Sequence, residues 1–172
     1  MMNPEPNMAQ TGLEKYPILR IIVGNLIMFL GIVVGTIAMW FVYPLLAGLY
    51  LVISVLVVYV VMRKLVCTNC YYYDKWCSMG WGKLAGLMFK KGNIEKFNMS
   101  IGVRLAPLVY ATISFLPIIA VILLLVVAFD YYKLLILVVL LFFAVYSASI
   151  GRKTACTDCK MRLHCKGSTA KQ

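Results

Sequence analysis

Two adjoining stretches decide the fold: ILRIIVGNLIMFLGIVVGTIAMWFVY, from Ile18 to Tyr43, and LLAGLYLVISVLVVYVVM, from Leu45 to Met62. Pro44 separates them. Crossing the ~30 Å hydrocarbon layer of a bilayer takes about 20 apolar residues as a helix, and both runs are near that length. The first exceeds the ~7–15-residue apolar core of a cleavable signal peptide. Arg20, one turn inside, is the only charge in the pair and can reach the headgroups along its aliphatic stem. Proline has no N–H and restricts the residue before it, so Tyr43-Pro44 predicts a tight turn between two helices. Further along, Pro107–Phe129 and Leu134–Ile150 repeat the design, joined by Asp130, Tyr131, Tyr132 and Lys133. Trp40, Tyr43, Tyr131 and Tyr132 then lie at the turns, where interfacial aromatics belong.

The whole composition agrees. Of 172 residues, 63% are hydrophobic and 13% charged, and the mean hydropathy is +0.89. A soluble domain of this size could not bury so much apolar side chain. Disorder is excluded too, since it needs low hydrophobicity and high charge. Lys plus Arg is 17 and Asp plus Glu is 6, giving a net charge of +11. In a membrane protein this excess reads as basic flanks on the cytoplasmic side, not as a nucleic-acid surface, which would place aromatics on a soluble platform.

The expected fold is therefore an all-α integral membrane protein with four transmembrane helices as two tandem hairpins. Its organisation runs 1–17, N-terminal segment; 18–62, hairpin 1; 63–106, cysteine loop in which Trp81–Lys91 forms either a short interfacial helix or an irregular basic loop; 107–150, hairpin 2; 151–172, cysteine tail. The turns carry only Lys133 as a positive charge. The middle loop carries Arg63, Lys64, Lys75, Lys83, Lys90, Lys91, Lys96 and Arg104, and the tail Arg152, Lys153, Lys160, Arg162, Lys166 and Lys171. The positive-inside rule places both termini and both cysteine segments in the cytoplasm, with the plasma membrane as the expected location.

Each hairpin ends the same way. Arg63-Lys64-Leu65-Val66-Cys67-Thr68-Asn69-Cys70 and Arg152-Lys153-Thr154-Ala155-Cys156-Thr157-Asp158-Cys159 share R-K-x-x-C-T-x-C, 89 residues apart (152 − 63). A third cysteine follows each, Cys77 and Cys165. Two units with an even number of spans would have the same orientation, as a parallel internal repeat.

All six cysteines lie in these loops, spaced C-x2-C-x6-C and C-x2-C-x5-C. Thiolate pairs two residues apart are the knuckles of many zinc and iron–sulfur sites. Each loop is one donor short of a tetrahedron, but six thiolates can hold two zinc ions if two of them bridge. The spacings resemble the binuclear zinc cluster of fungal transcription factors, where C-x2-C-x6-C is repeated. The resemblance covers only the loops and implies a geometry, not an activity. A [4Fe-4S] cluster would use four of the six. Alternatively His164 completes Cys156, Cys159 and Cys165 as a Cys3His site. The metal ligands expected from sequence are thus Cys67, Cys70, Cys77, Cys156, Cys159, Cys165 and His164, with zinc as cofactor and [4Fe-4S] as the alternative. Nearby arginines and lysines would offset the thiolate charge.

Other chemistry is weighed against this. Small four-span enzymes that pass electrons from thiols to quinone also pair cysteines, but on the oxidising face, opposite to the expected orientation. Juxtamembrane cysteines can be acylated. A single histidine excludes a bis-histidine haem within one chain, and no carboxylate is placed to orient a Cys–His pair, so no catalytic residue is assigned and binding is expected over catalysis. No ionisable residue lies mid-span, unlike most transporters and proton relays. Gly24, Gly31 and Gly35 fall roughly on one face, where helices can approach closely. Tyr71, Tyr72, Tyr73 and Trp76 either shield the cysteines or anchor the loop at the interface. The expected function is a membrane-anchored metal-binding scaffold or accessory subunit, with the bilayer and a homo-oligomeric or complex partner around it and no nucleic acid. An electron-transfer or thiol–disulfide subunit, or a channel or transporter component, are the alternatives.

Overall fold

The computed structural model describes residues 12–170. Lys171 and the first eleven residues of the expected N-terminal segment lie outside them. The described residues contain no strand. Four helices are long and apolar enough to cross a membrane: α1 (Ile18–Trp40), α2 (Pro44–Asn69), α4 (Ile101–Val127) and α5 (Tyr131–Thr157). A short α3 (Trp81–Met88) lies between α2 and α4. This is the make-up of an integral membrane protein. Most of the long-helix side chains point outward, including Leu123, Val126 and Val127, as a surface facing lipid instead of water requires.

The helices outrun the apolar runs that announced them. α4 begins at Ile101, not Pro107, because Ser100 caps it by accepting from the Val103 N–H. Pro107 therefore lies inside the helix, in its second turn, where it removes one ladder bond. α2 and α5 continue past their apolar ends, through the basic pairs, to Asn69 and Thr157. Each does so through one widened π-helical turn, Val57–Val61 and Ser147–Gly151, and then resumes α-helix at Met62 and at Arg152. At the far turn Asp130 caps α5 through the Tyr132 N–H, and Lys133 donates to the Ala128 carbonyl.

α1 packs against α2, α4 and α5. Ala38 of α1 meets Ile118 and Val121 of α4 and Leu140 of α5 in one core. Met39, Ala47 and Tyr50 form another, with Ile113 and Ala120 of α4 beside them. Tyr50 does two things there. Its ring fills the space over Gly35, where a Cβ would stand 2.5 Å from the hydroxyl. Its hydroxyl donates to the Ile113 carbonyl at 2.9 Å. That carbonyl would ordinarily accept from residue 117, and Pro117 has no N–H to give. In hydrocarbon a freed carbonyl needs a partner from within the protein, and Tyr50 supplies it from the neighbouring helix. Of the expected close-approach glycines, Gly24 lies against Met79 and Gly35 against Tyr50, while Gly31 has open space.

Candidate thiol site

The two cysteine segments fold by the same local rules. Thr68 donates its hydroxyl to the Lys64 carbonyl at 2.7 Å, and Thr157 to that of Lys153 at 2.8 Å. The Cys70 N–H donates to Cys67 O, and Cys159 N–H to Cys156 O. The next turn repeats it, with Tyr73 N–H to Cys70 O and Arg162 N–H to Cys159 O. The third cysteines also close turns, Gly80 N–H to Cys77 O and Ser168 N–H to Cys165 O. A hydroxyl four residues on binds the helix carbonyl, and the chain then turns tightly at each cysteine.

The segments meet. Tyr16, Ile21 and Tyr72 form a buried cluster, with Cys70 and Cys77 of the first segment and Cys159 of the second packed on it. What joins them is the stretch just before α1. The Leu13 N–H donates to Asp158 O, and the Tyr16 N–H to Trp76 O. The Tyr16 hydroxyl donates to Ala155 O at 3.0 Å. The Tyr72 hydroxyl donates to Leu13 O at 2.6 Å and accepts from the Lys160 N–H at 3.1 Å. One tyrosine thus ties the first segment to the N-terminal strap and to the tail. Arg20, expected only to reach toward headgroups, pairs with Asp158 and adds a further tie, modest because it is part-exposed. The Lys160 ammonium reaches Glu14 at 3.1 Å. On the other side Asn98 donates to His164 O and accepts from the Lys166 N–H.

Burial governs the thiols. It pushes the Cys70 thiol well up from its ordinary value, and the Cys67, Cys159 and Cys77 sulfurs push the same way. Cys159 is pushed up to about 11, by burial first and then by Cys156, Cys165 and Cys77. Tyr72 is displaced up to about 12, again by burial. No disulfide joins the six cysteines. Among the described residues, no three Cys, His, Asp or Glu side chains converge tightly enough to hold a metal ion. Of the seven expected ligands, Cys70, Cys77 and Cys159 pack on one cluster, and the described residues form no ready-made cage.

Arg63 is the most unusual residue of the site. It is only 3% exposed. Its Nε donates to Val58 O at 2.8 Å, its two terminal nitrogens reach Tyr110 Oη at 2.8 Å and Cys67 Sγ at 3.5 Å, and it stacks 3.4 Å over the Trp81 ring. The π-helical turn lies where the Val58 carbonyl is taken by a side chain. Among the described residues no carboxylate pairs with this guanidinium. Trp81 is held in turn by Asn25 of α1, which accepts from its indole N–H at 3.0 Å and donates to Met79 O and Ile21 O.

The aromatic loop residues divide. Tyr72 shields, being 2% exposed against Cys70 and Cys159, whereas Trp76 is exposed. A helix forms over Trp81–Met88, ending short of the expected Lys91. Its buried face runs through Gly82 and Ala85, and Met88 is outside. Gly82 is obligatory there, because a Cβ would fall 1.9 Å from Tyr72 O. Sequence reading singled out neither the strap residues Leu13 and Tyr16 nor the clamps Asn25 and Asn98. Their only signal was a lone tyrosine and polar residues beside long apolar runs. Compared with known protein families, curated proteins and solved structures, the chain matches none.

Proposed function

We propose that the chain is a membrane-anchored metal-binding protein whose two cysteine triads form one shared zinc site, serving as a scaffold or docking subunit. The observation that carries this reading is the packing of Cys70, Cys77 and Cys159 from both segments on one tyrosine cluster. Each triad alone lacks a fourth donor, and together six thiolates satisfy two bridged zinc ions. The buried Arg63 beside Cys67 Sγ would offset part of the charge of such a site, which sums to −2 for six thiolates and two Zn2+. The matched turns and the two π-helical turns ahead of the basic pairs support a duplicated hairpin unit. The basic content of both segments supports a cytoplasmic location for the site and termini.

The experiment is metal content and absorption of the full chain purified without oxygen in detergent, with Cys67→Ser and Cys156→Ser alongside. About two colourless zinc ions per chain, lost alike from both variants, is the expected result. Iron with sulfide and a broad visible band would instead assign electron transfer. Metal loss in one variant only would refute sharing. Six titratable thiols and no metal would refute the reading.

A further inference from the structure

We infer that the cleft between the end of α2 and the start of α4 binds the phosphate of an anionic phospholipid. The cleft measures about 420 Å3, and Lys64, Lys90 and Ser100 line it together with Leu65, Phe89 and Ile101. Its lining thus offers both polar and apolar groups, as a headgroup with an attached acyl chain requires.

Among the described residues the two lysines make no ion pair. The described ion pairs use Glu14 on Lys160, Asp74 on Lys83 and Asp158 on Arg20. Asp130 caps α5, and Glu95 lies by Asn93. No described carboxylate is left beside Lys64 or Lys90. Both are exposed, and two like charges facing one cleft favour a ligand that carries negative charge.

Position selects the source of that charge. Lys64 follows Met62, the last residue of an apolar run, and Ile101 opens the α4 span. The cleft therefore sits where apolar helix surface gives way to polar chain, the level of lipid phosphates. Ile101 is 65% exposed and Leu105 41% exposed, so the apolar wall continues outward as a path for an acyl chain. A free phosphate would leave that wall without a partner.

Native mass spectrometry of the full chain, from micelles holding phosphatidylglycerol and phosphatidylcholine in equal amounts, tests it. Lysines near an anionic headgroup contribute on the order of fivefold each. The chain is expected to retain phosphatidylglycerol preferentially, and K64Q/K90Q to lose most of that preference. K153Q/K166Q removes the same charge from the other basic segment and is expected to keep it. Equal losses in the two double variants would mean diffuse attraction and would overturn the site, as would selectivity surviving K64Q/K90Q. Displacement of the lipid by millimolar inorganic phosphate would reassign the cleft to the free anion and equally overturn it.

Discussion

The bond from Tyr50 to Ile113 holds α2 to α4, the two helices that flank the first cysteine segment. Tyr50→Phe removes only the hydroxyl. A side-chain hydrogen bond contributes a net ~0.5–1.5 kcal/mol, and bonds inside membrane proteins average ~0.6 with a maximum of ~1.7. Here the acceptor has lost its helix donor to Pro117, so deletion leaves it unpaired, and a loss of about 1–1.5 kcal/mol is expected. Pro117→Ala restores an N–H four residues after Ile113. In that background the hydroxyl is redundant, and Tyr50→Phe is expected to cost about 0.5 kcal/mol or less. The cavity left by the proline ring enters both arms of the cycle and cancels. Reversible unfolding of the four proteins in mixed micelles with increasing SDS, followed by circular dichroism, gives the coupling. Equal costs of Tyr50→Phe in both backgrounds would refute the reasoning.

Three other expectations follow from particular contacts. Gly35→Ala, whose Cβ would meet the Tyr50 hydroxyl, should cost about 1–3 kcal/mol, whereas Gly31→Ala, facing open space, should be neutral or slightly stabilising in the same unfolding assay. Arg63→Lys keeps the charge but cannot serve Val58 O, Tyr110 and the Trp81 face together. A loss on the order of 2 kcal/mol and a shift in tryptophan emission are expected, and an unchanged protein would deny the guanidinium its central place. Metal-free protein should lose stability in alkali. Cys159 is raised from 9.0 to about 11 and Tyr72 from 10.0 to about 12. The folded state then holds protons that the unfolded chain releases from pH 9 upward, so stability is full below that point and falls as pH rises through the raised values. Melting midpoints from pH 8 to 11 check this, and a flat profile would contradict the buried-thiol geometry.

Much of the fold was legible because a bilayer leaves few choices. Long apolar runs must be helices, as only helices satisfy their own backbone in hydrocarbon, and Pro44 and Asp130 marked the turns. The ends were less legible. Hydropathy stops at Met62 and Ile150, but helix propagation does not, because Arg, Lys and Ala are good helix formers and the basic pairs carry the helices on to the cysteines. The cysteine motif announced a site, and the matched turns around Cys67 and Cys156 follow its local chemistry. Burial of Tyr72 was one of two open readings, since a tyrosine beside a membrane serves equally as a shield or an anchor.

What the sequence by itself determined is whatever depends on solvent preference and near neighbours: four helices able to span a membrane, tight turns, and paired cysteine turns with a threonine hydroxyl on the preceding carbonyl. What only the tertiary structure decided is which distant groups complete one another. Tyr50 meets the carbonyl that Pro117 orphaned, Arg63 lies buried between Trp81, Tyr110 and Cys67, and the strap at Leu13 and Tyr16 draws the two cysteine segments onto one aromatic cluster. The reason is physical. Buried polar groups must find partners wherever the packed chain places them, and those partners, 47 to 139 residues apart in Arg63–Tyr110 and Tyr16–Ala155, leave no periodic trace in the sequence.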